Sequence, residues 1–126
     1  MVQRVPAQTE WAERFGYSRA VRRGSVIEVA GTTGLRDGDA AAPGAGDQAR
    51  AALELIVEAV RELGGGPGDI VRTRMFVVDV ERNGEAVGLA HGEVLGDVAP
   101  VTAMYGVVAL MRPDLLVEIE ATAILD

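Results

Sequence analysis

Residues 47–63 constrain the fold more than any other part of the chain. Ala49, Ala52, Leu53, Ile56, Val57, Val60 and Leu63 recur at helical spacing, with Arg50, Glu54, Glu58, Arg61 and Glu62 opposite them. Such a stripe predicts a helix that must bury one face against a second layer. Asp47 is placed to cap its start, and Gly64-Gly65-Gly66-Pro67 to stop it.

The flanking segments supply that layer. Residues 17–22 alternate, Arg23-Gly24 signals a turn and residues 25–30 are rich in β-formers, which predicts a hairpin. It ends at Gly31-Thr32-Thr33-Gly34, where two glycines free the backbone for unusual dihedrals. Residues 36–46 read as a Gly/Ala/Pro/Asp loop. Residues 70–78 predict a strand with Val71, Thr73, Met75 and Val77 on one face and Arg72, Arg74, Phe76 and Val78 on the other.

A second helix over about residues 81–95 turns Val87, Ala90, His91, Val94 and Leu95 inward; Gly84, Gly88 and Gly92 weaken it by roughly 1 kcal/mol each relative to Ala. Residues 100–104 and 116–121 read as two alternating strands of a terminal hairpin, turning at Met111-Arg112-Pro113-Asp114. Residues 1–15 show no clean period, and Trp11 is read as the anchor that packs this arm down.

The predicted order is β-β-α-β-α-β-β, an α+β arrangement with two helices on one face of the sheet. The uncovered face would carry Glu118, Glu120, Arg72, Arg74 and Glu28 among Phe76, Val78 and Ile124. That mixture is too apolar for open solvent and too charged for a monomer core. A subunit interface with internal ion pairs satisfies both demands.

Composition narrows the chemistry. A length of 126 residues, 48% of them hydrophobic, predicts a single domain over residues 1–126 with a real core. No apolar run approaches the roughly 18 residues of a membrane span. Residues 1–6 lack the apolar segment of a secretory signal, so a soluble cytoplasmic protein is expected. The net charge of −7 argues against a nucleic-acid partner, which needs a basic surface.

There is no cysteine, and all 12 basic residues are arginine. Thiol nucleophiles, thiolate metal sites, lysine Schiff bases and a pyridoxal phosphate anchor are therefore excluded. The single histidine argues against a His-rich zinc site. Neither a metal nor a cofactor is expected. Catalysis is left to carboxylates, hydroxyls, arginine, His91, backbone groups and water.

Glu118 and Glu120 are two residues apart on a strand, hence on one face at about 7 Å spacing. Crowded, desolvated carboxylates have raised pKa values and move protons near neutral pH. The alternative is an ion pair with an arginine such as Arg74, which is favoured for Glu120 and left open for Glu118. His91 lies on an apolar stripe, where a core-edge role competes with a functional one. The Tyr17 hydroxyl needs a partner if buried. Gly31-Thr32 is able to aim backbone N–H groups at an anion.

Gly16-Tyr17-Ser18-Arg19-Ala20-Val21, Gly31-Thr32-Thr33, Asp69-Ile70-Val71-Arg72-Thr73, Pro100 and Val117-Glu118-Ile119-Glu120-Ala121 together resemble the RidA/YjgF family, in order and across nearly the whole chain. The resemblance implies a chorismate-mutase-like fold with a mixed sheet, and a homotrimer with small-molecule clefts between subunits. It also implies hydrolysis of reactive imines and enamines to ammonia and a 2-keto acid. Tyr17, Gly31 and Glu118 match cleft-lining positions, and Glu118 matches the carboxylate that orients the attacking water.

One departure stands out. The family's deaminases carry an arginine two residues after the proline, where it clamps the substrate carboxylate, and here that place holds Thr102. A guanidinium offers two charge-assisted bonds and a threonine hydroxyl one neutral donor. The exchange should cost roughly 2–4 kcal/mol of carboxylate binding, about 30- to 1,000-fold.

Met104 stands where the family has a cysteine or threonine, with its backbone carbonyl a candidate to help orient the water, and Gly88 replaces an asparagine of the second helix. The pattern fits arginine-lacking branches of the family. An imine hydrolase with a substrate other than 2-aminoacrylate is the leading expectation. A non-catalytic metabolite-binding trimer and a pathway isomerase or cyclase using the same cleft stay open. Arg74 and Arg19 are candidates for a displaced cation. An RNase role attached to relatives gains little support from the acidic charge and single histidine.

Overall fold

The predicted stripe forms α2 (Ala45–Glu62) in a computed structural model that describes residues 1–35 and 40–126. Ala49, Ala52, Leu53, Ile56 and Val60 are fully buried, while Val57 is only partly so. The helix starts earlier than predicted, with Gly44 rather than Asp47 at its N-cap. Asp47 sits in the first turn instead, a position that the helix dipole also favours for a carboxylate, and it pairs with Arg50 at 2.7 Å. The expected loop over 36–46 thus loses residues 45 and 46 to the helix, and 36–39 lie outside the described residues. At the other end, Arg22 donates to the free carbonyl of Leu63 at 2.7 Å.

The second layer is one six-stranded mixed sheet. Its strands are β1 (Val2–Val5), β2 (Ala20–Arg23), β3 (Val26–Thr32), β4 (Ile70–Val78), β5 (Val101–Val107) and β6 (Val117–Ile124), ordered β1-β2-β3-β6-β4-β5. A short helix, α1 (Glu10–Phe15), follows β1, and α3 (Val80–Leu95) links β4 to β5. Both long helices cover one face, α2 over β3 and β6, α3 over β4 and β5. Ile27, Met75, Val77, Val117 and Ile119 are buried on that face, each contributing about 1.5–3 kcal/mol.

The terminal hairpin is a correction. β5 and β6 do not pair. β5 runs parallel to β4, and β6 inserts antiparallel between β3 and β4. Alternation fixes which residues form a strand and which face they take, but not the partner. A parallel pair needs a crossover, which α3 supplies. The predicted turn at 111–114 is present, with Leu115 N–H donating to the Arg112 carbonyl, but it leads from the sheet's edge to its middle.

Residues 1–15 also depart from expectation. An edge strand of four residues and a helix of under two turns are too short to show a period, yet β1 pairs with β2, and Thr9 caps α1. In β4, pairing slips between Ile70 and Arg72, so Val71 is 40% exposed rather than inward.

Gln48 pins the connection into β6. It is 2% exposed. Its Nε2 donates to the Ala42 and Asp114 carbonyls at 2.7 and 2.9 Å, and its Oε1 accepts from Leu116 N–H at 2.8 Å. Gln48→Leu strands three backbone groups and should destabilise the fold by about 2–4 kcal/mol in urea denaturation. An unchanged midpoint would contradict this role.

Candidate functional site

Burying Val117, Ile119 and Ala121 turns Glu118 and Glu120 to the face away from the helices. There the two carboxylates diverge. Glu120 stands opposite Arg74 and pairs with it at 3.7 Å, as the ion-pair expectation had it. Both side chains are over a third exposed, so the pair contributes little to stability. Glu118 stands opposite Phe76 and has no ion-pair partner among the described residues. Burial, and secondarily the Glu120 charge, pushes its carboxyl above the ordinary range.

Gly31 gives that carboxyl its place. The pairing of β3 with β6 shifts between Val29 and Thr32, beside Gly31. A Cβ on Gly31 would lie 2.7 Å from Glu118 Cδ and 2.8 Å from Oε2, so a larger residue here would push the carboxyl aside. The glycine therefore serves close approach, not unusual dihedrals: Gly34, at φ +78°, is the residue of that turn in the left-handed region.

The remaining walls are largely apolar. Trp11 and Phe15 of α1, with Tyr17, Met111 and Leu115, join Gly31, Glu118 and Glu120 around a pocket of about 320 Å³. Thr9 holds the aromatic wall together, accepting from Ala12 N–H at 3.2 Å and hydrogen-bonding the Tyr17 hydroxyl at 2.9 Å. Sequence reasoning missed Phe15, Met111 and Leu115. The four-residue spacing of Trp11 and Phe15 was the available signal for a shared helix face. Thr32 is buried and its hydroxyl donates to the Ala30 carbonyl at 2.8 Å, which removes it from the pocket around Glu118. It lines a smaller recess with Arg19, Tyr17 and Gly31.

Thr102 and Met104 are elsewhere. Thr102 pairs in register with Thr73, whose fully buried side chain faces the helices. The Thr73 hydroxyl donates to Thr102 Oγ1 at 2.7 Å and lies 2.8 Å from His91 Nε2. Burial holds His91 below its ordinary pKa, so it is neutral at pH 7. Met104 takes the space left by two glycines of α3. Its Sδ lies 3.3 Å from where a Gly84 Cβ would be, and its methyl 3.9 Å from the same point on Gly88. One chain thus brings Tyr17, Gly31 and Glu118 together on one side of the sheet, and His91, Thr102 and Met104 on the other. Arg74, engaged by Glu120, belongs to the first side.

These features define a class: an α+β chain with an uncovered sheet face and a carboxylate pocket at its rim. Residues 8–125 match the family model described as Endoribonuclease L-PSP, and the chain belongs to that YjgF/L-PSP family. The Streptomyces coelicolor protein SCO2049 is 38% identical over 125 residues, which cover 97% of this chain and 91% of the relative. The crystal structure of Rv2704 from Mycobacterium tuberculosis, a member of the YjgF/YER057c/UK114 family, superposes with a TM-score of 0.90 at 40% identity, covering 99% of this chain and all of that one. Escherichia coli TdcF with bound serine shares the fold with a TM-score of 0.83 at 24% identity, covering 98% and 94% of the two chains.

The raised carboxyl of Glu118 makes the fold pH-sensitive. Its contribution is complete below the ordinary carboxylate value and is lost as the pH rises through the raised one. Glu118→Gln removes that loss. Its melting temperature should exceed that of the wild type at neutral pH, and the two should converge at about pH 4. A variant that melts lower than the wild type at neutral pH would contradict the assignment.

Proposed function

We propose that three copies of this chain assemble with clefts between them, and that each cleft hydrolyses the C=N bond of a small imine, or of an enamine after tautomerisation. The observation that carries this reading is Glu118, a carboxylate with a raised pKa and no ion-pair partner among the described residues, lodged against Gly31 in an aromatic-walled pocket. The uncovered face supports assembly: Val101 and Tyr105 are 57% and 49% exposed, and Tyr105 stacks on Phe76 with ring centroids 5.5 Å apart.

In this mechanism Glu118 takes a proton from water as the oxygen attacks the imine carbon. It then returns the proton to nitrogen in the tetrahedral intermediate. Glu118 next takes the proton of the new hydroxyl and delivers it to the amine. As the O–H electrons form C=O, the C–N bond breaks with its electrons going to nitrogen, releasing ammonia and a carbonyl product. Trp11, Phe15 and Met111 favour a substrate with an apolar group. Thr102, which stands where the resembled deaminases carry their clamp arginine and would reach the cleft from a neighbouring copy, disfavours one held only by a carboxylate. Metabolite binding without turnover is the second reading, supported by the bound serine in TdcF. The family model's endoribonuclease description does not suit a chain of net charge −7.

Ammonia release from a panel of imines separates the two. Glu118→Gln should lower kcat about 100- to 10,000-fold, the range of general acid–base catalysis. Turnover by the variant within threefold of wild type would overturn the mechanism. Binding with no turnover by either protein would favour the second reading.

A further inference from the structure

The Thr102, Thr73 and His91 side chains form a continuous hydrogen-bonded line from the edge strand β5 through the buried interior of β4 to α3. A hydroxyl has one proton. Because the Thr73 hydroxyl spends its proton on Thr102 Oγ1, its lone pair calls for an N–H, which His91 Nε2 supplies in the Nε2–H tautomer. Thr102 thereby accepts from inside the protein, and among the described residues its own proton has no acceptor. Thr102 is exposed, so that proton is offered outward.

We propose that His91 and Thr73 are positioning residues that hold the Thr102 hydroxyl as an outward donor, so that this edge of the cleft selects an uncharged carbonyl or carboxamide over a carboxylate. The inference rests on the cleft reading above and names its ligand class. A carboxylate needs charge-assisted or multiple donors to offset its desolvation, whereas an amide or ketone oxygen is matched by one neutral donor. The next residue along the same face is the thioether of Met104, which adds no strong donor. Thr73, fully buried, has no solvent route to another partner. The polarity of the line is therefore set by the histidine tautomer.

His91 is the only histidine, so its ring nitrogens are read without ambiguity by long-range ¹H–¹⁵N NMR of the full-length protein. The expected species is the Nε2–H tautomer, with the hydrogen-bond shift of its Nε2 resonance lost in Thr73→Val and kept in Thr73→Ser. Pyruvamide and pyruvate then serve as probes, followed at the Thr102 and Glu118 amide signals. Pyruvamide should shift Thr102 and bind more tightly than pyruvate. Thr73→Val and His91→Phe should each weaken pyruvamide by about 3- to 10-fold, the worth of one neutral hydrogen bond, with pyruvate unmoved. Thr102→Arg should invert the preference.

An Nδ1–H tautomer overturns the proposal, because the line would then run the other way. So does equal affinity for the two probes, or a pyruvamide affinity indifferent to Thr73→Val. Shifts at Glu118 with none at Thr102 overturn the relay and leave the cleft standing. Shifts at neither site, or a monomeric protein, remove the cleft reading and the relay with it.

Discussion

Successive side chains on a strand point to opposite faces, and β6 is the central strand on which this constraint acts hardest. Packing Val117, Ile119, Ala121 and Ala123 beneath the helices commits Glu118 and Glu120 to the other side. Sliding the strand by one residue would drive both carboxylates into the core, at a cost far above a domain's net stability. The position of the acidic pair is therefore fixed by hydrophobic burial. What distinguishes the two is their surroundings: Arg74 neutralises Glu120, while the approach of Gly31 encloses Glu118 without offering a cation.

The same alternation divides the candidate site. Thr102 lies beside Thr73 on the helix-covered side, and Glu118 lies opposite Phe76 on the uncovered side. A single sheet separates them, so one chain cannot close a cleft from both sets. Copies of the chain can, if the edge strand of one meets the carboxylate pocket of the next. The exposed apolar surface of Val101 and Tyr105 on that edge strand favours such a contact. The proposed assembly would bring the two sets of residues together across one interface.

Most of the architecture was legible because long amphipathic patterns are strong signals. The stripe of α2, the alternation of β6 and the helix between β4 and β5 all match, as does the Glu120–Arg74 pair. Strand partners were not legible, since 101–107 and 117–124 alternate whether or not they pair with each other. Nor was the role of Gly31, because a close approach by Glu118 leaves no local trace in sequence. Residues 1–15 were unreadable for a different reason: Trp11 and Phe15 belong to a helix of six residues, stabilised by the Thr9 cap and its tertiary contacts rather than by a pattern of its own. The hydrogen bond from Thr73 to Thr102 spans 29 positions, which no local pattern encodes.

The central claim is that a working cleft takes Glu118 from one chain and Thr102 from another. Subunit mixing tests it most directly. Glu118→Gln and Thr102→Trp proteins, each inactive alone in ammonia release, are unfolded together at equal concentration and refolded. If the cleft is shared, random assembly should restore about one intact cleft in four and a matching fraction of activity. No recovery in assemblies shown by mass to contain both variants would contradict the account.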